Sequence, residues 1–394
     1  MKIVYHHRTA SRDGQSTHIE EMIRGLRANG HVVVESAPAV DAVASTSGGS
    51  AGWVGILKTW LPKPAYELAE VAYSFVAYRR MARAIRELKP DGIYERYNLF
   101  LLAGVWAKKR FRLPLILEVN APMAVERAQY GGLSMPGLAH RLERYVWRQA
   151  DRILPVTQVL ADYMVSIGVD PSRIQVIPNG INPAHFEKLP TAQQAKAELG
   201  LEGRLVVGFT GFVREWDRLD RIMKWIATQP AAHNVHLLVI GDGPARAEIE
   251  ACAADLGVSD RLSFTGAVPR ERVPALSMAF DIALQTALVP YASPLCLFEY
   301  LALGKAIVAP DQPNHHEILA HGENAYLYRP DDELGIEKAL DALTADPRMR
   351  EDVSAKAREV ITNKGLTWSQ HARRVAKLFE DLGVQTRPVA ASQS

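Results

Sequence analysis

The sequence predicts an α/β protein made of two doubly wound, parallel-sheet domains. Short apolar runs alternate with longer amphipathic helical patterns, and this series starts near the amino terminus and again near Leu205. A length of 394 residues suits two or three domains at roughly 100–200 residues each. Strands separated by helices require parallel sheets covered on both faces, because each crossover lays a helix over the sheet.

Residues 3–5 read as the first strand. Residues 17–29 read as a helix with Ile19, Met22, Ile23 and Leu26 on one face, closed by Gly30. A strand follows at 31–35, and the Ala-, Ser- and Gly-rich segment 39–55 reads as a mobile loop. Further buried strands are expected at 92–94, 115–118 and 152–156. The second series comprises 205–209, 236–240, 262–265, 282–285 and 306–309. Pro183, Pro190 and a polar run place a linker at 186–204, between a first domain of residues 1–185 and a second of 205–365. A last helix is expected at 366–383, and residues 384–394 turn small and polar, as a flexible tail would. No short sequence repeat is visible. Ligands of open parallel sheets bind beyond the carboxyl ends of the strands, so the chemistry is expected on post-strand loops facing an inter-domain cleft.

Composition narrows the partners. Hydrophobic residues at 48% and charged residues at 23% are ordinary for a globular protein that buries its own cores. The formal net charge of +2 argues against nucleic acid as the main partner. It conceals an asymmetry. Residues 1–185 carry 23 Lys+Arg against 16 Asp+Glu, or +7, and the rest carries 23 against 28, or −5. Two cysteines, Cys252 and Cys296, make neither a disulfide framework nor a four-cysteine zinc site. No run approaches the roughly 18–20 apolar residues of a membrane span. His6, His7 and Arg8 break the first apolar run before it makes a signal peptide. A cytoplasmic protein is therefore expected, with peripheral membrane contact at the inner face as an option.

Several motifs occur in order: Ala150-Asp151-Arg152-Ile153, Val176-Ile177-Pro178-Asn179-Gly180-Ile181-Asn182-Pro183, Gly241-Asp242-Gly243-Pro244 and Phe264-Thr265-Gly266-Ala267-Val268-Pro269. The sharpest is Ser293-Pro294-Leu295-Cys296-Leu297-Phe298-Glu299-Tyr300-Leu301-Ala302-Leu303-Gly304-Lys305. On these motifs the chain resembles the retaining GT-B glycosyltransferases of the family-4 type, the glycosyl transferases group 1. The resemblance covers nearly the whole chain. It implies two Rossmann-like domains, a first on the acceptor side and a second that binds a nucleotide sugar, with the last helix crossing back to the first. It implies a hexosyltransferase-type enzyme (EC 2.4) that moves a sugar from a nucleoside diphosphate to a glycan or lipid-linked glycan with retention. No metal and no cofactor are expected, since the nucleotide sugar is a substrate. Surface polysaccharide synthesis is the implied context.

A departing diphosphate gathers negative charge, so backbone N–H groups, a helix N-terminus and cations must meet it. Ser293 and Pro294 suit the cap and first position of a helix starting near Leu295, and Glu299 lies one turn in. By resemblance Glu299 takes the donor ribose, and the main chain of Val268 reads the nucleobase. Gly241 shapes a strand end near the donor. Gly211 and Arg218 join the donor set, and Arg214 is the candidate cation at the diphosphate. In the first domain Gly14 lets the backbone approach the donor phosphates. Arg8 and His18 are candidates for the acceptor side. Glu118 and Asn120 end a buried strand, where polar groups need a reason, and Glu126 follows on a short helix. Asn120 occupies the place of the family's first-domain histidine and is the catalytic candidate there, able to orient a hydroxyl but not to titrate.

The chain departs from the family at chosen places. Tyr291 stands where the first of two glutamates is usual, and Cys296 stands where a lysine is usual. Phe212, Asp217 and Arg218 replace an Arg and a Lys-Gly pair. These losses support a second reading, a GT-B protein of weak or no activity that serves as partner or regulator of another transferase. His315-His316-Glu317 makes no metal site, because adjacent residues on a helix point about 100° apart. Residues 53–89 interleave Trp53, Trp60, Tyr66, Tyr73, Phe75 and Tyr78 with Lys58, Lys63, Arg79, Arg80, Arg83, Arg86 and Lys89, a pattern suited to a membrane interface.

Overall fold

The computed structural model describes residues 1–9, 14–38 and 62–385. The loop expected at 39–55, residues 53–61 of the basic aromatic stretch and residues 386–394 of the tail lie outside the described residues. The chain divides into two units, Met1–Pro178 with Trp368–Ser394, and Asn179–Thr367.

The first unit holds a five-stranded sheet of β1 (Lys2–His6), β2 (Val32–Ser36), β3 (Gly92–Arg96), β4 (Leu115–Val119) and β5 (Arg152–Pro155). The order is β2-β1-β3-β4-β5, all parallel. Every residue of β3 and β4 is buried, as expected for strands covered on both faces. The Gly14–Ala28 helix starts three residues before the expected Thr17 and packs on the Trp368–Asp381 helix. Gly25 permits that approach, since a Cβ there would stand 2.8 Å from the Trp368 carbonyl oxygen. The last helix thus belongs to the first unit.

The second unit holds six parallel strands, β6 (Leu205–Thr210), β7 (Val235–Ile240), β8 (Leu262–Phe264), β9 (Ile282–Leu284), β10 (Ala306–Pro310) and β11 (Tyr326–Tyr328). Their order is β11-β10-β9-β6-β7-β8, the 3-2-1-4-5-6 arrangement of a dinucleotide-binding fold read from the other edge. Strand order reverses between β6 and β9 here, and between β1 and β3 in the first unit. Loops leaving those strands are the places where such sheets bind ligands.

The units part at Pro178 and Asn179, ahead of the 186–204 linker expected from the sequence. Local bonding explains the difference. The Asn179 backbone N–H donates to Ser293 Oγ at 3.1 Å, and the Ile181 N–H donates to the Leu366 carbonyl at 3.0 Å. Lys196, on the Ala192–Glu198 helix, pairs with Asp281 at 2.6 Å. The whole segment is therefore tied to the second sheet, although its prolines and polar residues read as a linker.

Candidate active site

The donor-side candidates lie at the carboxyl ends of the second unit's strands. The loops after β6 and β7 touch backbone to backbone. Gly211 N–H donates to the Ile240 carbonyl and Val213 N–H to the Asp242 carbonyl, each at 3.0 Å. Gly241 has φ 144° and a Cβ there would lie 1.9 Å from the Gly211 carbonyl oxygen, so only glycine fits. Gly211 and Gly241 are thereby brought together, with close packing as their visible role.

The Leu295–Leu303 helix starts where expected, but its capping differs from the sequence reading. Pro294 holds the cap position and no side chain caps it. The Ser293 hydroxyl accepts from Asn179 N–H instead, and the Asn179 side-chain amide donates to the Ser293 carbonyl. Asn179 therefore pins the loop from both sides. No side-chain acceptor meets the first turn, where the Leu297 N–H donates to the Pro294 carbonyl at 3.2 Å. Glu299 is buried one turn in and pairs with Arg270, the first residue of the Arg270–Arg272 turn after Pro269. Val268, two residues earlier, packs its side chain on the core. Ser293, Pro294, Leu295 and Glu299 thus stand at one helix start, Arg270 joins them, and Val268 packs on the core that this helix shares.

The candidate cations are placed differently. Arg214 lies between the exposed rings of Phe212 and Trp216, 5.2 Å from each centroid. Arg218 has φ 52° and turns to Asp220 at 3.2 Å, so the structure does not bring its charge to Glu299. Asp217 does not project into solvent: it is buried and accepts the Arg214 N–H at 2.8 Å. Burial raises its pKa, against the lowering influence of that N–H and of the Arg214 charge. Cys296 contacts Gln285 Oε1 at 3.2 Å, and burial pushes its thiol up to about 11, so it stays neutral.

In the first unit, Glu118 at the end of β4 gathers the predicted polar residues. His18 Nε2 lies 3.0 Å from its Oε2, Asn120 donates to Oε1 at 2.7 Å, and Arg96 donates to the same oxygen. Tyr94 donates to Oε2 at 2.8 Å and Tyr5 at 3.4 Å. Burial pushes the Glu118 pKa up, but His18 and Arg96 outweigh it and hold the carboxylate below its usual range. The tyrosines are raised by burial first and remain donors. With Nδ2 committed to Glu118, Asn120 keeps its carbonyl oxygen for a ligand. Arg8 is separate, paired with Glu70 at 3.2 Å, as is Arg127 at 2.8 Å. Gly14 is the first residue of its helix, and Glu126 ends the Met123–Glu126 helix. Sequence reading missed Arg270, Arg96, Tyr94 and Tyr5, which carry no motif of their own; Asn179 lay inside a quoted motif without a role. Among the described residues no group of three or more His, Cys, Asp or Glu is arranged to hold a metal ion.

Two Rossmann-like units of this topology are the architecture shared by the GT-B glycosyltransferases. Residues 12–185 match the family described as Glycosyltransferase Family 4, and residues 192–360 match that described as Glycosyl transferases group 1. The chain belongs to this family of group 1 glycosyltransferases. A 2-deoxystreptamine glucosyltransferase of Streptomyces kanamyceticus is 29% identical over 249 residues, and the match spans 59% of this chain and 59% of that protein's length. A D-inositol 3-phosphate glycosyltransferase of Acidothermus cellulolyticus is 27% identical over 352 residues, 84% of this chain and 76% of that protein. Among solved structures, HepE of Anabaena in complex with UDP and glucose superposes with TM-score 0.75 at 17% identity, covering 97% of this chain and 100% of that one.

The Met123–Glu126 segment beside Asn120 yields a pH prediction. Glu143 is buried and accepts Ala124 N–H at 3.1 Å and Tyr97 O–H at 3.2 Å. Burial raises its pKa from 4.5 to about 7, although those bonds pull the other way. The folded state then binds more protons than the unfolded state between these values, so stability falls as pH rises through about 7. Glu143→Gln keeps the acceptor oxygen and removes the charge. Its melting temperature should gain on the wild type between pH 5 and pH 8, by at most roughly 3 kcal/mol of stability. A gap between the two melting curves that does not change with pH would contradict this.

Proposed function

We propose that the chain transfers a sugar from a nucleoside-diphosphate donor to a hydroxyl of a glycan or lipid-linked glycan, with retention and without a metal or cofactor, in surface polysaccharide or glycolipid synthesis. The observation that carries this is the uncapped start of the Leu295–Leu303 helix beside buried Glu299, held by Asn179 through Ser293. N–H groups at a helix start suit a phosphate, and a carboxylate suits the two hydroxyls of a ribose. The bond from the sugar's anomeric carbon to the phosphate oxygen breaks, and a bond to the acceptor oxygen forms on the same face. The acceptor proton passes to the departing phosphate, so no protein base is required. Asn120 orients a hydroxyl, and Glu118 with His18 and Arg96 keeps Asn120 in place.

The relatives fit this range of acceptors. They include proteins named as an α-monoglucosyldiacylglycerol synthase of Streptococcus pneumoniae and a lipopolysaccharide core glycosyltransferase of Rhizobium meliloti. Among the described residues no helix is long and apolar enough to cross a membrane. The Lys63–Leu88 helix exposes Leu68, Phe75 and Val76, and Arg79 stacks on Phe75 at 5.6 Å. We place peripheral contact with anionic lipid on this face.

Thermal-shift screening against UDP-, GDP-, ADP- and dTDP-sugars should raise the melting temperature with at least one, because a ligand of the folded state must stabilise it. NMR of the product should show the donor's anomeric configuration, at a rate unchanged by EDTA. Inversion or loss of turnover with EDTA would overturn those parts of the reading. Binding without turnover on any acceptor would favour the partner role. Separately, anionic vesicles should sediment the protein at low salt, and Arg79→Glu with Arg83→Glu should abolish this; failure of the wild type to sediment removes the membrane contact.

A further inference from the structure

The candidate donor site lacks positive charge at the two places where the family resemblance implies lysine. Asp217 is a buried carboxyl group, and Cys296 is a half-buried neutral thiol. Glu299 is nevertheless buried, its side chain only 6% exposed. A buried carboxylate without a cation nearby takes up a proton, and a protonated carboxyl is a poor acceptor for two hydroxyls at once. A buried carboxylate used as an acceptor needs a partner that holds it in place.

Arg270 meets that need. Its guanidinium pairs with Glu299 Oε1, which leaves Oε2 for a ligand. The residue follows Pro269 and opens the Arg270–Arg272 turn, at the end of the loop that holds Gly266 at φ 69° and Val268 against the core. It therefore bridges two elements that read opposite ends of a nucleoside. On the donor-site reading, the loop meets the base and the helix carries the carboxylate for the ribose.

We propose that Arg270 is the positioning residue for Glu299, holding that carboxylate oriented for the ribose hydroxyls of the donor and tying it to the base-reading loop. This rests on the donor-site reading above. Arg270 acts through Glu299, so the two residues form one unit toward the nucleotide.

The test is calorimetric titration of the intact protein with UDP, GDP, ADP and CDP, followed by the tightest binder and its 2′-deoxy form against variants. Arg270→Gln should weaken binding about 10–100-fold, in the range of a hydrogen bond to a charged group. Arg270→Lys should restore part of the loss, because it keeps the charge without the planar fork. Glu299→Gln should cost a similar factor, and the double variant should bind little worse than Glu299→Gln alone. The wild type should prefer the ribonucleotide over its 2′-deoxy form, and Arg270→Gln should erase that preference. Additive losses in the double variant, or a preserved ribose preference in Arg270→Gln, would overturn the proposal. Wild-type binding that is unchanged in Arg270→Gln would overturn it while leaving the donor reading intact. No binding of any nucleotide by the wild type would overturn both.

Discussion

Burying a carboxylate at the end of a parallel sheet imposes the constraint on which much of this structure depends. Taken from water without partners, such a group would lose its charge. Glu118 answers with His18, Arg96, Asn120, Tyr94 and Tyr5, which come from three strands or their ends and from the first helix. Glu299 answers with Arg270 from a neighbouring loop. Each carboxylate therefore fixes the relative positions of several elements within its own unit.

Sheet topology explains where these groups stand. Strand order reverses at β1/β3 and at β6/β9, so adjacent crossovers leave in opposite directions and the loops between them splay apart. Glu118 lies one strand from the first reversal. Glu299 lies on the helix that follows β9, at the second. Glycine sets how tightly the surrounding loops close, as at Gly211 and Gly241. The acidic net charge of the second half does not by itself set the field at the proposed donor site, because groups within a few ångströms dominate at short range.

Much of the fold was legible in the sequence because buried strands read as continuous apolar runs. Residues 115–118 and 236–240 are such cases, and both lie inside observed strands. The three-residue β11 was not legible, since Tyr326-Leu327-Tyr328 is too short to show a period. The joint between the units was misplaced because the tie is made by single hydrogen bonds from Asn179 and Ile181 to residues far along the chain. The same limit applies to the site. Glu118, Asn120 and Glu299 were found because polar residues end buried strands or sit in a strong motif. Arg270 was not, since only the third dimension brings it to Glu299. Ser293 looked like a helix cap by type and spacing, yet its hydroxyl is occupied by Asn179.

The account stands on the Leu295–Leu303 helix start and Glu299 forming the nucleoside-diphosphate site of the second unit. A crystal structure of the protein with its tightest-binding nucleoside diphosphate tests this most directly. The account predicts ribose hydroxyls on Glu299, phosphate oxygens at the N–H groups of the first helical turn, and the base edge on the main chain at Val268. A nucleotide seated elsewhere, with Glu299 untouched, would contradict it.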